Sequence, residues 1–267
     1  MEWLKGKMGM TYIQTIWKYR GMIYCLVKRD LKIRYKGSIL GFFWMLLNPL
    51  LQLCIYTIVF SVIIKMNIDR FYLFLFVTLV PWIFFSTCLS YGSQVILSEK
   101  DLIKKTYFPR EVLPISFTMS QFINMLLSFM AIFAVILLSG KGISLSALSR
   151  LPGIMIIEFF MALGIVYFTS SITVYFRDLE HITSILALAW MYMTPILYPI
   201  EYVPEELRKF VYFNPMTSVT IAYRDILYYG NAPKTGTMLN AALMGIVFWL
   251  AGKICFCILQ RGYAREL

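Results

Sequence analysis

Charged residues are scarce in this sequence. Asp, Glu, Lys and Arg make up 15% of the 267 residues and hydrophobic residues make up 60%, whereas a soluble domain carries about 25% charged residues. A core of this size cannot enclose so much apolar surface, so part of that surface must face lipid. The net charge of +11 could indicate nucleic-acid binding, but the basic residues lie in the gaps between apolar runs. This distribution is typical of a membrane protein.

Histidine is almost missing as well, because His181 is the only one in the chain. One histidine and five scattered cysteines provide none of the usual spacings of a metal site, so we expect no metal. A nucleophile paired with a general base is not expected either. The chain also lacks a G-x-x-x-x-G-K-[ST] run, the loop that cradles nucleotide phosphates. The sequence therefore predicts a protein that is not itself an enzyme.

Six apolar stretches are long enough to cross about 30 Å of hydrocarbon at about 1.5 Å per residue. They cover residues 42–64, 72–96, 115–138, 152–175, 182–199 and 239–259. The fifth stretch is the shortest and contains Pro195. The sequence therefore predicts an all-α polytopic membrane protein with six transmembrane helices, in which residues 1–267 form a single transmembrane domain.

Lysine and arginine determine the predicted orientation. If the N-terminus is inside, about twice as many of them fall on the inner side as on the outer side. Both termini are therefore predicted to be cytoplasmic. The basic region continues to residue 41, and the first apolar stretch is too long for the core of a cleavable signal peptide, so it is interpreted as an uncleaved span.

The segment before the first span, within residues 1–41, predicts an amphipathic helix that lies in the headgroup plane. Its apolar residues are Ile13, Ile16, Trp17, Ile23, Val27 and Leu31. The basic residues that fill much of its opposite side are Lys18, Arg20, Lys28, Arg29, Lys32 and Arg34. The alternative is an ordinary cytoplasmic lead-in to the first span.

Residues 200–235 predict two short helices between the fifth and sixth stretches. Pro204, followed by two acidic and then two basic residues, suits the dipole of one short helix. Asn214 followed by Pro215 is typical of the start of another, which is too polar to span alone. We predict that these helices dip into the outer leaflet and return, covered by protein or lining a watery cavity, and that they form an outer gate. The residues assigned to the gate are Asn214, Pro215, Tyr223 and Arg224.

The charged segment SEKDLIKKTYFPREVLP, residues 98–114, lies between the second and third stretches and is here called the knob. Ser98 followed by Asp101 is close to a capping box. A short helix is therefore predicted from residue 99 to about residue 106, and it must end before the following proline. Tyr107 and Phe108 are predicted to stand exposed at its end. The residues alone leave open whether the knob is a solvated loop or a docking helix for a cytoplasmic partner.

Four motifs resemble those of the permease subunits of bacterial polysaccharide ABC exporters, the group that moves O-antigen, teichoic acid and capsule. The motifs are VKRDLKIRYKGSILGFFWMLLNPL (27–50), LIKKTYFPREVLP (102–114), YFRDLEHI (175–182) and TPILYP (194–199). They follow one another in the same order and at the same spacing, over nearly the whole chain. That family has six spans, an N-terminal interfacial helix and re-entrant gate helices after the fifth span.

The resemblance implies a homodimer with the conduit between two permeases, driven by two copies of a separate cytoplasmic ATPase. That ATPase would bind ATP and magnesium, so no cofactor is expected in this chain. The implied cargo is a polysaccharide linked to polyprenyl pyrophosphate, which is exported from the cytoplasm across the bacterial plasma membrane. The knob helix would be the coupling helix that sits in a groove of the ATPase. The residues assigned to coupling are Glu99, Lys100, Leu102, Ile103, Lys104, Lys105, Tyr107, Phe108 and Arg110.

Two further sets of residues are predicted to handle this cargo. A cationic rim for the pyrophosphate is assigned to Lys28, Arg29, Lys32 and Arg34, with Lys36 beside them. These charges could instead only set the topology. Aromatic faces would give a sliding sugar chain weak stacking contacts, or the same rings could face lipid or pack between helices. The candidate conduit aromatics are Tyr56, Phe60, Trp82, Phe85, Phe129, Phe133, Tyr167 and Trp190.

The polar residues inside the spans have simpler interpretations. Glu158 and Lys253 lie near span ends and are expected to snorkel, whereas Gln121 and Asn124, with Asn48 and Gln52, are expected to form inter-helix hydrogen bonds. A proton-coupled secondary transporter would need a buried charge network, so it is a weaker alternative than a drug- or lipid-exporting ABC permease. A purely structural membrane anchor is a third alternative, against which the re-entrant region argues.

Overall fold

A computed structural model describes residues 14, 16–35, 37, 40–142 and 144–266, and their side chains except those of residues 34, 35, 42, 264 and 265. All regular structure in these ranges is helical, as predicted. In chain order the α-helices are α1 (Arg20–Tyr35), α2 (Trp44–Thr57), α3 (Phe71–Gly92), α4 (Val95–Ser98), α5 (Lys100–Lys105), α6 (Val112–Leu138), α7 (Leu145–Leu148), α8 (Leu151–Thr173), α9 (Leu179–Met193), α10 (Glu205–Phe213), α11 (Pro215–Arg224), α12 (Thr235–Leu259) and α13 (Tyr263–Glu266). Two π-helical segments extend α2 and α11, and they are Ile58–Ile63 and Asp225–Tyr229.

Five helical segments in the described part are long and apolar enough to span a membrane. They are Trp44–Ile63, Phe71–Gly92, Val112–Leu138, Leu145–Thr173 and Thr235–Gly262. A helix satisfies most of its backbone hydrogen bonds within the segment, as lipid requires, and the carbonyl of Met45, which lacks a partner at Pro49, accepts instead from Ser128. The five segments coincide with the first four and the last of the six predicted stretches, so the all-α polytopic prediction is confirmed at this level.

The fifth predicted stretch differs from the other five. Its helix, α9, has 15 residues, which corresponds to about 22 Å and falls short of the hydrocarbon thickness of about 30 Å. It ends before Thr194, whose φ of −103° and ψ of 137° are extended, because a proline ring pushes the preceding residue out of the helical region. Residues 194–199 are not α-helical, so the prediction of a transmembrane helix through residue 199 is wrong for these six residues.

Helix α3 occupies the centre of the bundle, and most of its residues are buried. It packs against α2, α6, α8, α9 and α11. A helix in such a position is apolar on all sides, as this one is. By contrast, α2 and α12 bury few of their residues within the chain, so most of their apolar surface faces outwards.

Helices α8 and α12 pack against each other along much of their length. Glycines permit this close approach. A Cβ atom placed on Gly252 would lie 1.9 Å from the carbonyl oxygen of Gly164, and one placed on Gly164 would lie 2.3 Å from the carbonyl oxygen of Phe248. Lipid removes most of the hydrophobic driving force between helices, so close contact between small residues is what holds such pairs together.

Contacts between loops distinguish the two ends of the bundle. At one end, here called the knob end, α1 contacts the knob through Arg29 and Glu99, and the knob contacts α12 through Glu111 and Lys253. Helix α13 follows α12 at this same end. The first and last described helices therefore lie at the same end of the molecule.

The opposite end, here called the loop end, is formed by the connections between α2 and α3, between α6 and α7, and between α11 and α12. The hydroxyl of Tyr228 donates to the carbonyl of Asp69 at 2.5 Å. The ammonium of Lys141 lies 3.9 Å from the centre of the Tyr228 ring, which is a cation–π contact. Tyr228 thus joins all three connections, and the segment after α11 returns to this end.

Candidate functional site

The knob contains the short helix α5, which ends at Lys105 before an extended Thr106. Ser98 does not cap this helix, because its hydroxyl donates to the carbonyl of Val95 at 3.2 Å. Glu99 occupies the N-cap position without a side-chain cap. The predicted capping box is therefore wrong, since α4 continues through Ser98 and engages its hydroxyl within its own turn. The prediction that the helix ends before the proline at position 109 is correct.

The surface of the knob agrees with the prediction in part. Its charged side chains are largely exposed, and Leu102 and Ile103 are half-buried. Tyr107 is 93% exposed, but Phe108 is only 7% exposed and belongs to the core. The prediction that both rings stand exposed is wrong for Phe108, because the chain after α5 is extended and successive side chains of extended backbone point to opposite sides.

Ion pairs hold both ends of the knob. The guanidinium of Arg29 faces both carboxylate oxygens of Glu99, with Nη1 3.2 Å from Oε2 and Nη2 bonded to Oε1. At the other end, Nζ of Lys253 lies 2.6 Å from Oε2 of Glu111, and Arg110 donates to the carbonyl of Gln260. A helix as short as α5 is marginal by itself, so these contacts determine how it is oriented.

The pair of Arg29 and Glu99 is partly open to solvent, with side chains that are 41% and 20% exposed. The hydrogen bond that Arg29 donates to Glu99 raises the pKa of Arg29 above its ordinary value, so the guanidinium stays charged at every physiological pH. Asp30 also accepts from this guanidinium, at 3.2 Å. An exposed ion pair contributes about 0.2–1 kcal/mol, so it can be exchanged for another at little cost.

A cavity of about 350 Å³ adjoins this ion pair and is here called the Arg29 cavity. It lies between α1, the end of α3 with α4, and the start of α6. Its apolar lining comes from Ile33, Val95, Leu113 and Phe117. Its polar lining comes from Arg29, Asp30, Tyr91, Gln94, Ser98, Glu99, Ser116 and Gln121. The cavity is therefore a mixed pocket that opens at the knob end.

A second cavity of about 250 Å³, here called the span cavity, lies between α2, α3 and α6. Gln121 lines both cavities. The other polar residues of the span cavity are Asn48, Thr87, Asn124 and Ser128. By contrast, a groove between α8 and α12 around Gly245 is lined by apolar residues. The two polar cavities thus mark a path from the knob end into the membrane-spanning part of the bundle.

Gln121 and Asn124 were assigned to inter-helix hydrogen bonds from the sequence, but the polar face of α6 that they share with Ser128 was not recognised. Gln121, Asn124 and Ser128 recur at three- and four-residue spacings, so they share one helix face. Asn124 lies 3.5 Å from Gln121 within α6, and the hydroxyl of Ser128 donates to the carbonyl of Met45 in α2 at 3.2 Å. The spacing of three polar residues along an otherwise apolar helix is the signal that could have identified this face.

The structure separates the residues of the predicted cationic rim. Of those whose side chains it describes, Arg29 alone lines the Arg29 cavity. Lys28 and Lys32 line a different, mostly apolar groove between α1 and α6, and Lys28 lies 5.8 Å from the ring centre of Tyr24. The side chain of Arg34, together with Lys36 and Ile13, lies outside the described part.

The eight candidate conduit aromatics pack against other parts of the same chain. The buried ones are Trp82, Phe85, Phe129 and Tyr167, and the half-buried ones are Tyr56, Phe60, Phe133 and Trp190. Phe85 meets Trp190 edge-on with ring centres 5.3 Å apart, and Tyr167 lies 5.0 Å from Phe256. The buried rings are covered by neighbouring helices in this conformation, and the conduit role of the whole set stays a prediction.

Asn214 organises the start of the re-entrant segment. Its Oδ1 accepts from the backbone N–H of Met216 at 3.0 Å and from the indole N–H of Trp190 at 2.8 Å. Its Nδ2 donates to the hydroxyl of Thr194 at 2.8 Å and to the carbonyl of Met193 at 3.3 Å. Asn214 thus caps α11, as predicted, and it also ties α11 to the end of α9.

The other predicted gate residues lie inside the bundle. Tyr223 donates to Oε2 of Glu158 at 2.6 Å, and both side chains are fully buried. The prediction that Glu158 snorkels is wrong, because α11 covers this part of α8 and supplies a hydrogen-bond donor there. Lys253 was also expected to snorkel from the sequence. In the structure it pairs with Glu111 at the knob end.

Arg224 lies at the end of α11 and is only 4% exposed. Its Nη2 donates to the carbonyls of Pro195 and Ile196 at 3.0 and 3.1 Å, and its guanidinium lies 3.7 Å from the centre of the Phe74 ring. These carbonyls are free to accept because the chain leaves the helix after α9. Asn214 and Arg224, at the two ends of α11, therefore contact the end of α9 and the residues that follow it, whereas Tyr223 contacts α8.

A family model described as ABC-2 type transporter matches residues 22–228. This region includes most of α1, the knob, both polar cavities and α11. The chain is 35% identical over 245 residues to the O-antigen export system permease protein RfbA of Myxococcus xanthus, and the match covers 91% of this chain and 94% of that protein. It is 32% identical over 209 residues to a protein of the same name from Klebsiella pneumoniae, with 78% and 81% covered.

Proposed function

The chain belongs to the ABC-2 type transporter family and is a transmembrane permease, and on this premise we propose that it is the membrane-spanning subunit of an O-antigen export system. The observation that carries the proposal is the identity of 35% to an O-antigen export permease across 91% of the chain. The cargo is a polysaccharide linked to polyprenyl pyrophosphate, and it moves from the cytoplasm across the bacterial plasma membrane. ATP hydrolysis takes place in a separate subunit that binds ATP and magnesium.

The knob is the surface through which this ATPase drives the permease. Its helix α5 offers exposed lysines to a partner, and the exposed ring of Tyr107 follows just after the helix. Its two ends are paired with different parts of the permease, namely α1 through Arg29 and α12 through Lys253. A push on the knob would therefore reach the interfacial helix and the last span together. We assign α5 as the coupling helix on these grounds.

The working unit is a homodimer that carries two ATPase subunits. Helices α2 and α9 support this assignment, because much of their apolar surface is not covered by the rest of the chain. Pairing two copies along these helices would enclose a conduit between them. The polar span cavity borders α2, so a conduit at this interface would have polar groups close to its wall.

The proposed topology has six crossings with both termini in the cytoplasm. Helix α9 together with residues 194–199 makes the sixth crossing, although α9 alone is too short. An even number of crossings agrees with the position of α1 and α13 at the same end. That end corresponds to the more basic side of the chain, which is retained inside. Helices α10 and α11 form the re-entrant outer gate, in which α11 packs on α3 and α12 and Asn214 ties it to the end of α9.

Purification from membranes together with the cognate ATPase tests this function. We expect a complex whose ATPase rate rises when polyprenyl-pyrophosphate-linked glycan is added to nanodiscs. Small amphipathic drugs at matched concentrations serve as the comparison, and they should leave the rate unchanged. A complex that is stimulated by the drugs and not by the lipid-linked glycan would instead identify a drug-exporting permease.

A further inference from the structure

The contact between Arg29 and Glu99 uses the part of the arginine that recognises phosphate. The guanidinium offers a planar pair of N–H groups to both oxygens of the carboxylate, and the same fork suits the oxygens of a phosphate. Glu99 therefore occupies the position that an anionic headgroup would take at this arginine.

The Arg29 cavity is large enough to admit such a headgroup beside the ion pair. Its volume is about 350 Å³, and its lining includes Tyr91 and Gln94, whose hydroxyl and amide can donate to an anion. Two carboxylates, those of Asp30 and Glu99, also line the cavity. They would repel an anion, and both accept from Arg29 in the present arrangement.

Glu99 and a phosphate exclude each other on the Nη1–Nη2 edge of Arg29, because the other edge of the guanidinium, Nε and Nη2, already faces Asp30 at 3.4 and 3.2 Å. A phosphate could enter the fork only if Glu99 leaves it, since one planar pair of N–H groups binds one pair of oxygens at a time. Leaving is inexpensive, because the pair is partly exposed to solvent. The neighbouring lysines do not offer a substitute, because Lys28 and Lys32 line a different groove.

We propose that Arg29 exchanges partners, so that the pyrophosphate of a lipid-linked substrate displaces Glu99 from the guanidinium in the Arg29 cavity. This inference rests on the proposed function and specifies where that substrate is first held. Glu99 is the residue before α5, so its release frees one end of the coupling helix. Glu111 stays paired with Lys253 at the other end of the knob. Helix α5 therefore becomes mobile only at the end that faces the substrate.

The exchange links the loading of substrate to the mobility of the coupling helix. Binding couplings are reciprocal. The ion pair between Arg29 and Glu99 therefore weakens pyrophosphate binding by the same factor by which pyrophosphate weakens the ion pair. An exposed ion pair limits this factor to about fivefold. The ATPase would thereby respond to an occupied permease without contacting the substrate.

Equilibrium binding to the full-length permease in phosphatidylcholine nanodiscs tests the exchange. The probe is polyprenyl pyrophosphate incorporated in the disc, and inorganic pyrophosphate in solution is the second probe. E99Q keeps the shape of the side chain and removes the competing charge, so we expect it to bind both probes about fivefold more tightly. R29Q should lose this binding. R29K, which keeps the charge but lacks the fork, should bind more weakly than the wild type.

The matched control is E111Q, which removes the acidic partner at the opposite end of the knob and should leave both affinities unchanged. Hydrogen exchange of residues 99–106 provides a second readout. Polyprenyl pyrophosphate should accelerate this exchange in the wild type, whereas in E99Q it should already be fast before the lipid is added. E111Q should also lower the stability of the protein. Comparing its hydrogen exchange with that of E99Q therefore separates release of α5 from a general loss of stability.

Unchanged or weaker binding by E99Q, in a variant that elutes as a folded species, would overturn the exchange and leave the proposed function standing. A gain confined to the lipid probe and absent with inorganic pyrophosphate would also overturn it, because the gain would not come from the phosphate contact. A wild-type permease that binds neither probe would instead contradict the cargo assigned under the proposed function.

Discussion

The hydroxyl of Tyr223 on helix α11 donates to Oε2 of Glu158 on the spanning helix α8, at 2.6 Å and away from all solvent. The two residues are 65 positions apart in the chain. This contact joins a helix that enters the bundle from the loop end to one of the helices that cross it. Helix α11 is thus held to the body of the permease through Tyr223 as well as through Asn214 and Arg224.

Removing the hydroxyl of Tyr223 should lower the free energy of unfolding of the permease. Y223F leaves the ring in place and deprives the buried carboxyl of Glu158 of its donor. A buried polar group without its partner costs about 1–3 kcal/mol, although contacts between membrane helices average about 0.6 kcal/mol, so we expect a loss of about 1 kcal/mol. Thermal unfolding in nanodiscs measures it. Y229F, at an exposed tyrosine, is the matched control, and equal midpoints for the two variants would contradict the role of this hydrogen bond.

The packing of α8 on α12 should not tolerate a methyl group at Gly252. A Cβ there would lie 1.9 Å from a backbone oxygen, and backbone cannot move aside as a side chain can, so G252A should cost about 1–3 kcal/mol. G153A, on α8, is the control, because its Cβ would meet Met238 at 3.8 Å, an ordinary contact. Melting temperatures of the two variants decide the question, and a G252A protein as stable as G153A would show that the helices do not approach so closely.

Tyr107 and Phe108 should respond in opposite ways to replacement by alanine. Phe108 is buried, so F108A should destabilise the permease by about 3 kcal/mol. Tyr107 is 93% exposed, so Y107A should leave the melting temperature unchanged and reduce recovery of the ATPase in co-purification. Each variant serves as the control for the other. Full recovery of the ATPase with Y107A would remove this ring from the docking surface.

The pair of Lys253 and Glu111 should show coupling in a double-mutant cycle. Both side chains are mostly buried, at 17% and 15% exposure, so each loss of a partner should cost about 2 kcal/mol, less than the roughly 3–5 kcal/mol of a fully buried pair. The double variant K253M/E111Q should cost less than the sum of K253M and E111Q. Unfolding free energies of the four proteins measure the coupling. Strict additivity would mean that the two groups do not stabilise each other.

The positions of the spanning helices follow from the sequence because their causes are local. A run of apolar residues cannot stay in water, and lipid forces its backbone to satisfy its own hydrogen bonds. The end of α9 also has a local cause. The proline at position 195 stops it, and a closer reading of that one residue would have shortened the fifth predicted stretch. The cap of α11 at Asn214 is equally local, and it was predicted correctly.

Partners and burial are decided by residues far apart in the chain, and here the sequence alone was insufficient. The pyrophosphate assigned to Arg29 stays a prediction, but the carboxylate that Arg29 contacts, 70 positions away, was not foreseen from the sequence. Glu158 was expected to reach an interface, whereas the return of α11 encloses it with a donor. Composition and periodicity indicate whether a segment is surrounded by lipid or by water. Only the tertiary structure brings segments together, and a charged group in a low-dielectric bundle takes whichever partner that packing places within reach.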